Sequence, residues 1–396
     1  MRSGWLLGVD GIENSKMYGN GSCGEEESIA LLTLKLMPEL GNRSILRLVR
    51  HFGSAGGVLR ARPKDLAAVP RLREKSLAAI QRRETVRPAA GEWELLKKNK
   101  IRLLCLNDAD YPANLAAIPD PPVALFMKGT LEPRDLVSIA IVGSRAASPT
   151  GIVFTERLCM ELVQCGVSVV SGLAVGIDSA AHRGALKGGG RTLAVLGCGL
   201  DVDYPRGNEK LRDEIACSGA LVTEFPMSTP PAAVHFPLRN RIISGLSLGV
   251  VVVEAAHRSG SLITARLALE QGREVFAVPG MARNFRSVGP HRLLKDGAKL
   301  VECAEDILEE IRPLLRASDI SVCNRTDPAP QVAACTEEEK KLLVFLDRSP
   351  IHIDEISRSV EWPVSRVMAV LLALELKGIV RQLPGKYFVC DSGSPG

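Results

Sequence analysis

The sequence has no Cys-x-x-Cys pair and no Cys and His at zinc-binding spacing, although it holds ten cysteines in 396 residues. A structural zinc site is therefore not expected. Most of the thiols fall in apolar runs such as Leu158-Cys159-Met160 and Leu196-Gly197-Cys198, and they read as reduced core residues of a cytoplasmic protein. No stretch reaches the roughly 18 uninterrupted apolar residues of a membrane span. The start, Met1 to Gly8, lacks an apolar core long enough for a signal peptide. Charge of one sign is not in large excess either: 50 Lys and Arg against 45 Asp and Glu leave +5, too little for a histone-like polycation. Aromatics are scarce, with nine Phe, four Tyr and three Trp, so a ring beside a polar motif stands out. The 46% hydrophobic and 24% charged fractions exclude disordered, collagen-like and coiled-coil chains. The length predicts two or three domains, since single cores rarely grow past about 250 to 300 residues.

The positive charge is unevenly placed. Between Leu31 and Lys100 sixteen Lys or Arg face six Asp or Glu, a local +10 that the rest of the chain offsets. A basic segment of this kind is a hint of nucleic acid, or simply a solvated helical face. Residues 1–28, rich in Gly, Ser, Asn and Glu, read as a disordered leader. Residues 29–100 carry helical apolar spacing broken at Gly41-Asn42, Gly53-Ser54 and Arg62-Pro63, which predicts a small bundle of short helices. The turn Pro38-Glu39-Leu40-Gly41 has the form of a helix-hairpin-helix turn, which can hold phosphate on backbone N–H groups, or of a plain interhelical turn.

Residues 101–316 alternate β-rich runs with amphipathic helices. Strands are expected over Val137–Val142, Val167–Val170, Thr192–Leu196, Ala220–Glu224, Val250–Val253, Val275–Val278 and Leu300–Glu302, with helices between them. The pattern predicts an α/β fold, a doubly wound Rossmann-like parallel sheet with right-handed crossovers, whose ligands bind beyond the carboxyl ends of the strands. Residues 317–335 read as a linker. Residues 336–390, opening on the capping box Thr336-Glu337-Glu338-Glu339, show three helical runs and a hairpin, the pattern of a winged helix with Val364 to Leu376 in the recognition position. Eight basic and eight acidic residues lie between Thr336 and Val389, so a protein contact weighs at least as much as DNA for this tail.

The strand ends carry the chemistry. Gly143-Ser144-Arg145 leads through Ser148-Pro149 into a helix, where backbone N–H groups and a guanidinium can grip a phosphate. This loop lacks Gly-x-Gly-x-x-Gly, which counts against a nicotinamide or flavin dinucleotide, and no cofactor is expected. Ser171-Gly172-Leu173-Ala174-Val175-Gly176-Ile177-Asp178 repeats the device. Asp178 and His182 form an i, i+4 pair on the following helix, read as a dipole-favoured carboxylate beside a satisfied histidine in preference to a metal or acid–base pair. Leu196-Gly197-Cys198-Gly199-Leu200-Asp201, leading to Tyr204-Pro205, is a third close-approach loop. Phe236-Pro237-Leu238-Arg239-Asn240-Arg241 sets a ring, two guanidiniums and an amide within six positions, so that Phe236 can stack on a base while the arginines hold phosphates. Ser259-Gly260-Ser261 suits an anion or a helix cap, and Lys295 follows the sixth strand. No strand end offers a nucleophile with its base or paired carboxylates, so no catalytic residue is assigned.

These motifs resemble those of the DNA-processing protein A family, also called DprA or Smf. The resemblance rests on Gly143-Ser144-Arg145, Ser171-Gly172-Leu173-Ala174 with Gly176-Ile177-Asp178 and Ala181-His182, Leu196-Gly197-x-Gly199-Leu200-Asp201, Phe236-Pro237-x-Arg239-Asn240-Arg241-Ile242-Ile243, Glu254-Ala255, Ser259-Gly260-Ser261-Leu262-Ile263-Thr264-Ala265 and Phe276-Ala277-Val278-Pro279-Gly280. Thr150 and Gly289-Pro290-His291 depart from the family's commoner residues. The resemblance implies a helical N-terminal module of the sterile-alpha-motif type, a Rossmann-like domain and a C-terminal winged helix. It also implies a cytoplasmic protein that binds single-stranded DNA, protects incoming DNA and loads the recombinase RecA in natural transformation, and that dimerises through the Rossmann-like domain. By motif position, Arg145, Phe236, Arg239, Asn240, Arg241 and Lys295 would line its DNA pocket, with Gly143, Ser144, Gly172 and Ser259 in the supporting loops. The alternative is an enzyme that uses the same loops on a nucleotide or cleaves an N-glycosidic bond, with Glu254 the residue to suspect.

Overall fold

The structure, a computed structural model, describes residues 24–315, 336–343, 345–346, 351–377, 379–383 and 385–390. The expected linker and most of the expected leader lie outside the described residues. The chain divides into two compact units, residues 1–323 and 324–396.

The first unit opens with six helices: α1 (Glu25–Lys35), α2 (Asn42–Phe52), α3 (Ala55–Arg60), α4 (Pro63–Ala67), α5 (Glu74–Arg82) and α6 (Ala89–Lys98). Helix α1 begins inside the stretch expected to be leader. Glu25, Glu26 and Glu27 fill its first turn, where carboxylates offset the positive end of the helix, and Glu27 also accepts the N–H groups of Ala55 and Gly56 at the start of α3. These three residues, expected in the leader, therefore start a helix, and Glu27 also holds the start of a second one.

A nine-stranded sheet follows, built from β1 (Arg102–Cys105), β2 (Ala124–Gly129), β3 (Ser138–Val142), β4 (Ser168–Ser171), β5 (Thr192–Val195), β6 (Ala220–Thr223), β7 (Gly249–Val252), β8 (Glu274–Ala277) and β9 (Lys299–Leu300). Its order is β1-β2-β6-β5-β4-β3-β7-β8-β9. All neighbours from β6 to β9 run parallel, and β1 and β2 pair antiparallel at one edge. The crossovers hold α8 (Pro149–Gln164), α9 (Ile177–Lys187), α10 (Glu209–Ser218), α11 (His235–Leu246), α12 (Gly260–Glu270) and α13 (Val288–Lys295). The short α7 (Ala113–Ala116) lies between β1 and β2, and α14 (Ala304–Leu315) follows β9. Strands β3 to β7 are buried at every position, as continuous apolar runs such as Gly249-Val250-Val251-Val252 require when helices cover both faces.

Strand β3 pairs with β4 on one side and β7 on the other, so the crossovers leave it in opposite directions there. This reversal is the topological switch point, where a crevice opens beyond the strand ends. The N-terminal helices are built onto the same body. Leu32, Leu34, Leu48 and Leu96 join Phe126, Ala194, Leu196 and Met227 in one apolar core. Polar contacts tie the same seam: the Asn42 side chain donates to Asp120 and to Pro121 O and accepts from Val123 N–H, and buried Glu92 accepts from Met227 N–H at 2.7 Å. The start of α2 is therefore committed to the sheet-bearing part of the chain through Asn42.

The second unit holds α15 (Glu337–Leu343), β10 (Ile351–His352), α16 (Ile353–Val360), α17 (Val364–Leu376), β11 (Val380–Leu383) and β12 (Tyr387–Cys390). Its three strands pair in the order β10-β12-β11, the wing of a winged helix. The Thr336 hydroxyl accepts from Glu339 N–H while Glu339 accepts from Thr336 N–H, which completes the expected capping box. Arg366 pairs with Glu338 and Lys377 with Glu339, so two cations at the recognition helix are engaged within the unit.

Candidate nucleic-acid interface

The crevice is built first from close backbone approach. Gly176, at φ +87°, brings the β4–α9 loop against the β3–α8 loop; a Cβ there would lie 2.3 Å from Ser144 O. Ile177 N–H donates to Ser144 O at 3.2 Å, and the Ser144 hydroxyl accepts from Ala146 N–H. Two strand ends are thereby clamped together, with Arg145 exposed above them.

Helix α11 crosses beneath. Phe236 and Arg239 are three residues apart and share one face, as helical geometry requires. The Arg145 guanidinium lies over the Phe236 ring at 5.0 Å, and the Tyr204 ring packs beside it at a centroid distance of 5.8 Å. Phe236 is half-buried, backed by Gly197, where a Cβ would come within 3.1 Å of the ring. The result is an aromatic face with a guanidinium on it at the mouth of the crevice.

Arg239 forms the floor of this arrangement. It is 4% exposed and donates from Nη1 to Val195 O at 2.6 Å. Its guanidinium occupies the space beside Gly172: a Cβ there would stand 1.8 Å from Nη1. Burial pushes Arg239 below its ordinary range, and the opposing field of Asp178 offsets part of that. Burial in turn raises the Asp178 carboxyl, against Arg239 and the N–H groups of Ala174 and Gly143. His182 is fully buried, hydrogen-bonded through Nδ1 to Thr192 Oγ1 at 2.7 Å, and held down to about 3, chiefly by burial. His182 is thus a core histidine, and the Asp178 carboxyl lies in the field of Arg239. Among the described residues no cluster of three or more His, Cys, Asp or Glu could hold a metal ion.

The remaining residues named from the motifs have other partners or stand at other helix ends. Arg241 follows Arg239 by two residues, about 200° around the helix at 3.6 residues per turn. Its side chain is buried on the far side in an ion pair with Glu224, with Asp120 3.6 Å away. Asn240 is also buried and donates to Gly260 O, tying α11 to the start of α12. Ser259 caps α12 and bonds the Ser261 hydroxyl at 2.7 Å. Lys295 is exposed in the last turn of α13. Gly143 is pressed under Ile177, where a Cβ would meet Cγ1 at 2.6 Å. Glu254 accepts from both Ser148 N–H and Ser148 O–H, so its carboxylate holds the N-terminus of α8 across the switch point. Tyr204 borders the aromatic face without having been assigned a role from the motifs; its placement after the Gly197 loop was the available signal.

Fold and crevice together define a doubly wound α/β protein with a guanidinium and an aromatic face at its switch point, suited to a polyanion that carries bases. Residues 102–312 match the family DNA recombination-mediator protein A, and residues 326–386 match the DprA winged helix domain. The chain belongs to the DNA recombination-mediator protein A family. It is 46% identical to Protein Smf of Escherichia coli over 279 residues, 70% of this chain and 74% of that protein. It is 48% identical to DNA processing protein DprA of Streptococcus pneumoniae over 203 residues, 51% and 72% of the respective chains. The X-ray structure of DNA processing protein A from Streptococcus pneumoniae is similar at TM-score 0.63 and 38% identity, covering 72% of this chain and 97% of that one.

Proposed function

We propose that the crevice binds single-stranded DNA, with a base stacked on Phe236 and the adjacent phosphate held by Arg145, and that the chain hands the coated strand to RecA in natural transformation. The observation that carries this reading is the Arg145–Phe236 pair, a half-buried ring under an exposed guanidinium at the switch point. Every base has a π-face, so such a platform tolerates sequence, and a duplex, whose bases are stacked inside, offers it nothing comparable. The family's recombination-mediator description supports the hand-over to a recombinase. Dimerisation through the α/β unit belongs to the same proposal. So does a cytoplasmic location, which agrees with the reduced thiols of Cys159, Cys198, Cys217 and Cys303. No described helix is long and apolar enough to cross a membrane.

The test is a fluorescence-anisotropy titration of labelled oligo(dT) and of a duplex against salt. Arg145→Ala is expected to weaken binding on all sequences and to flatten the salt slope by about 0.7, one single-strand phosphate contact. Phe236→Ala is expected to cost ~1–3 kcal/mol of affinity. Unchanged binding in both variants overturns the site. Turnover of a nucleoside monophosphate that disappears in Glu254→Gln would replace the binding reading with the enzymatic one. A RecA filament-assembly assay on strands coated with single-strand-binding protein tests the mediator step, and no acceleration by the wild-type chain refutes it.

A further inference from the structure

Among the described residues of the first unit's loops the most exposed large apolar side chain is Met281, 78% exposed, and four residues on Phe285 is 60% exposed. Both lie in the loop between β8 and α13, outside the Arg145–Phe236 crevice. A ring so open contributes little to the core. The loop that presents it is nevertheless firmly held. Arg286 donates from Nε to Ala146 O at 2.8 Å, its carbonyl accepts from Ala255 N–H at 2.7 Å, and its own N–H donates to the Asn284 side chain at 3.0 Å. The first two bonds fasten the loop to the segments that follow β3 and β7, the two sides of the switch point.

We propose that Phe285 and Arg286 form a second base-stacking platform for single-stranded nucleic acid, which receives the strand as it leaves the Arg145–Phe236 crevice. The proposal rests on the reading of that crevice as a single-strand site. The Arg286 guanidinium stands over the Phe285 ring at 4.5 Å, the same arrangement as Arg145 over Phe236 at 5.0 Å. The two pairs are joined directly, because Arg286 bonds the carbonyl of Ala146, the residue after Arg145. From Pro279 to Val288 the loop carries Arg283 and Arg286 and no acidic residue, and Arg283 is exposed at φ +68°. A positively charged edge with an open ring suits a phosphate backbone with unstacked bases. The strand would thus meet ring and guanidinium twice, once on each side of the switch point.

The experiment uses the full chain and oligo(dT) from about 4 to about 16 nucleotides, the range of single-strand site sizes. Phe236→Ala is expected to weaken binding at every length. Phe285→Ala is expected to leave the shortest oligonucleotides unaffected and to weaken the longest about tenfold, while Phe285→Trp keeps wild-type affinity and shows indole fluorescence quenched by long oligo(dT) in the difference spectrum against wild type. Wild-type affinity of Phe285→Ala for long oligonucleotides, alongside the Phe236→Ala loss, overturns this proposal alone. An altered sedimenting mass of Phe285→Ala without altered affinity also overturns it, and assigns the ring to a contact between copies. Failure of the wild-type chain to bind any oligonucleotide overturns the crevice reading and this proposal with it.

Discussion

Adding a single methyl group at Gly172 tests how the crevice is held together. A Cβ at this position would lie 1.8 Å from Arg239 Nη1 and 2.5 Å from Cζ, so the two cannot coexist. The guanidinium is the group that must move, yet it is 4% exposed and anchored to Val195 O at 2.6 Å. Overpacking a closed site costs ~1–3 kcal/mol. Losing a hydrogen bond from a charged donor costs ~1.5–3 kcal/mol. Both figures describe one displacement, so Gly172→Ala is expected to destabilise by about 2–3 kcal/mol and not by their sum. The assay is a double-mutant cycle of Gly172→Ala and Arg239→Met, read by urea unfolding and by oligo(dT) affinity. With the guanidinium gone, the methyl should cost under about 0.5 kcal/mol, a coupling well above the additivity error for independent sites. Affinity should follow stability in the cycle, because the displaced arginine no longer supports Arg145 and Phe236 from below. An additive cycle would refute the reasoning, since it would mean that Gly172 is small for a reason unrelated to Arg239.

Arg241 and Arg145 should separate cleanly. Arg241→Ala leaves Glu224 buried without its partner and is expected to cost ~3–5 kcal/mol of stability with the salt slope of DNA binding unchanged; a flattened slope at unchanged stability would reverse the assignment. His182, held to about 3 in the fold against the ordinary 6.5 of a solvated histidine, binds its proton less readily folded than unfolded. Its contribution is fully present above about 6.5 and is lost as pH falls toward 3, by up to about 1.4 kcal/mol per pH unit. Urea midpoints of wild type and His182→Asn across that window should converge as the pH falls, and parallel curves would show that the histidine is protonated in the fold.

The parallel strands were readable because each is a short β-branched run bounded by glycine and followed by a helical period. Gly249 to Val252 before Gly260 to Glu270 is the clearest case. Strands β1 and β2 escaped because an antiparallel edge needs no crossover helix, and Leu103-Leu104-Cys105 and Ala124-Leu125-Phe126-Met127 are apolar runs without a period that decides between strand and helix. The site was legible as a set of loops but not as a set of contacts. The helical period places Arg239 with Phe236 and sends Arg241 to Glu224, a division that the run Arg239-Asn240-Arg241 does not display as a sequence. Phe285 has no neighbour in sequence that marks it, because its meaning depends on Arg286 reaching Ala146 across the switch point. The most informative letter for the buried floor was therefore not an arginine. Glycine at 172 is the imprint in the sequence of a guanidinium from 67 residues further along the chain, since no residue with a side chain could share that space.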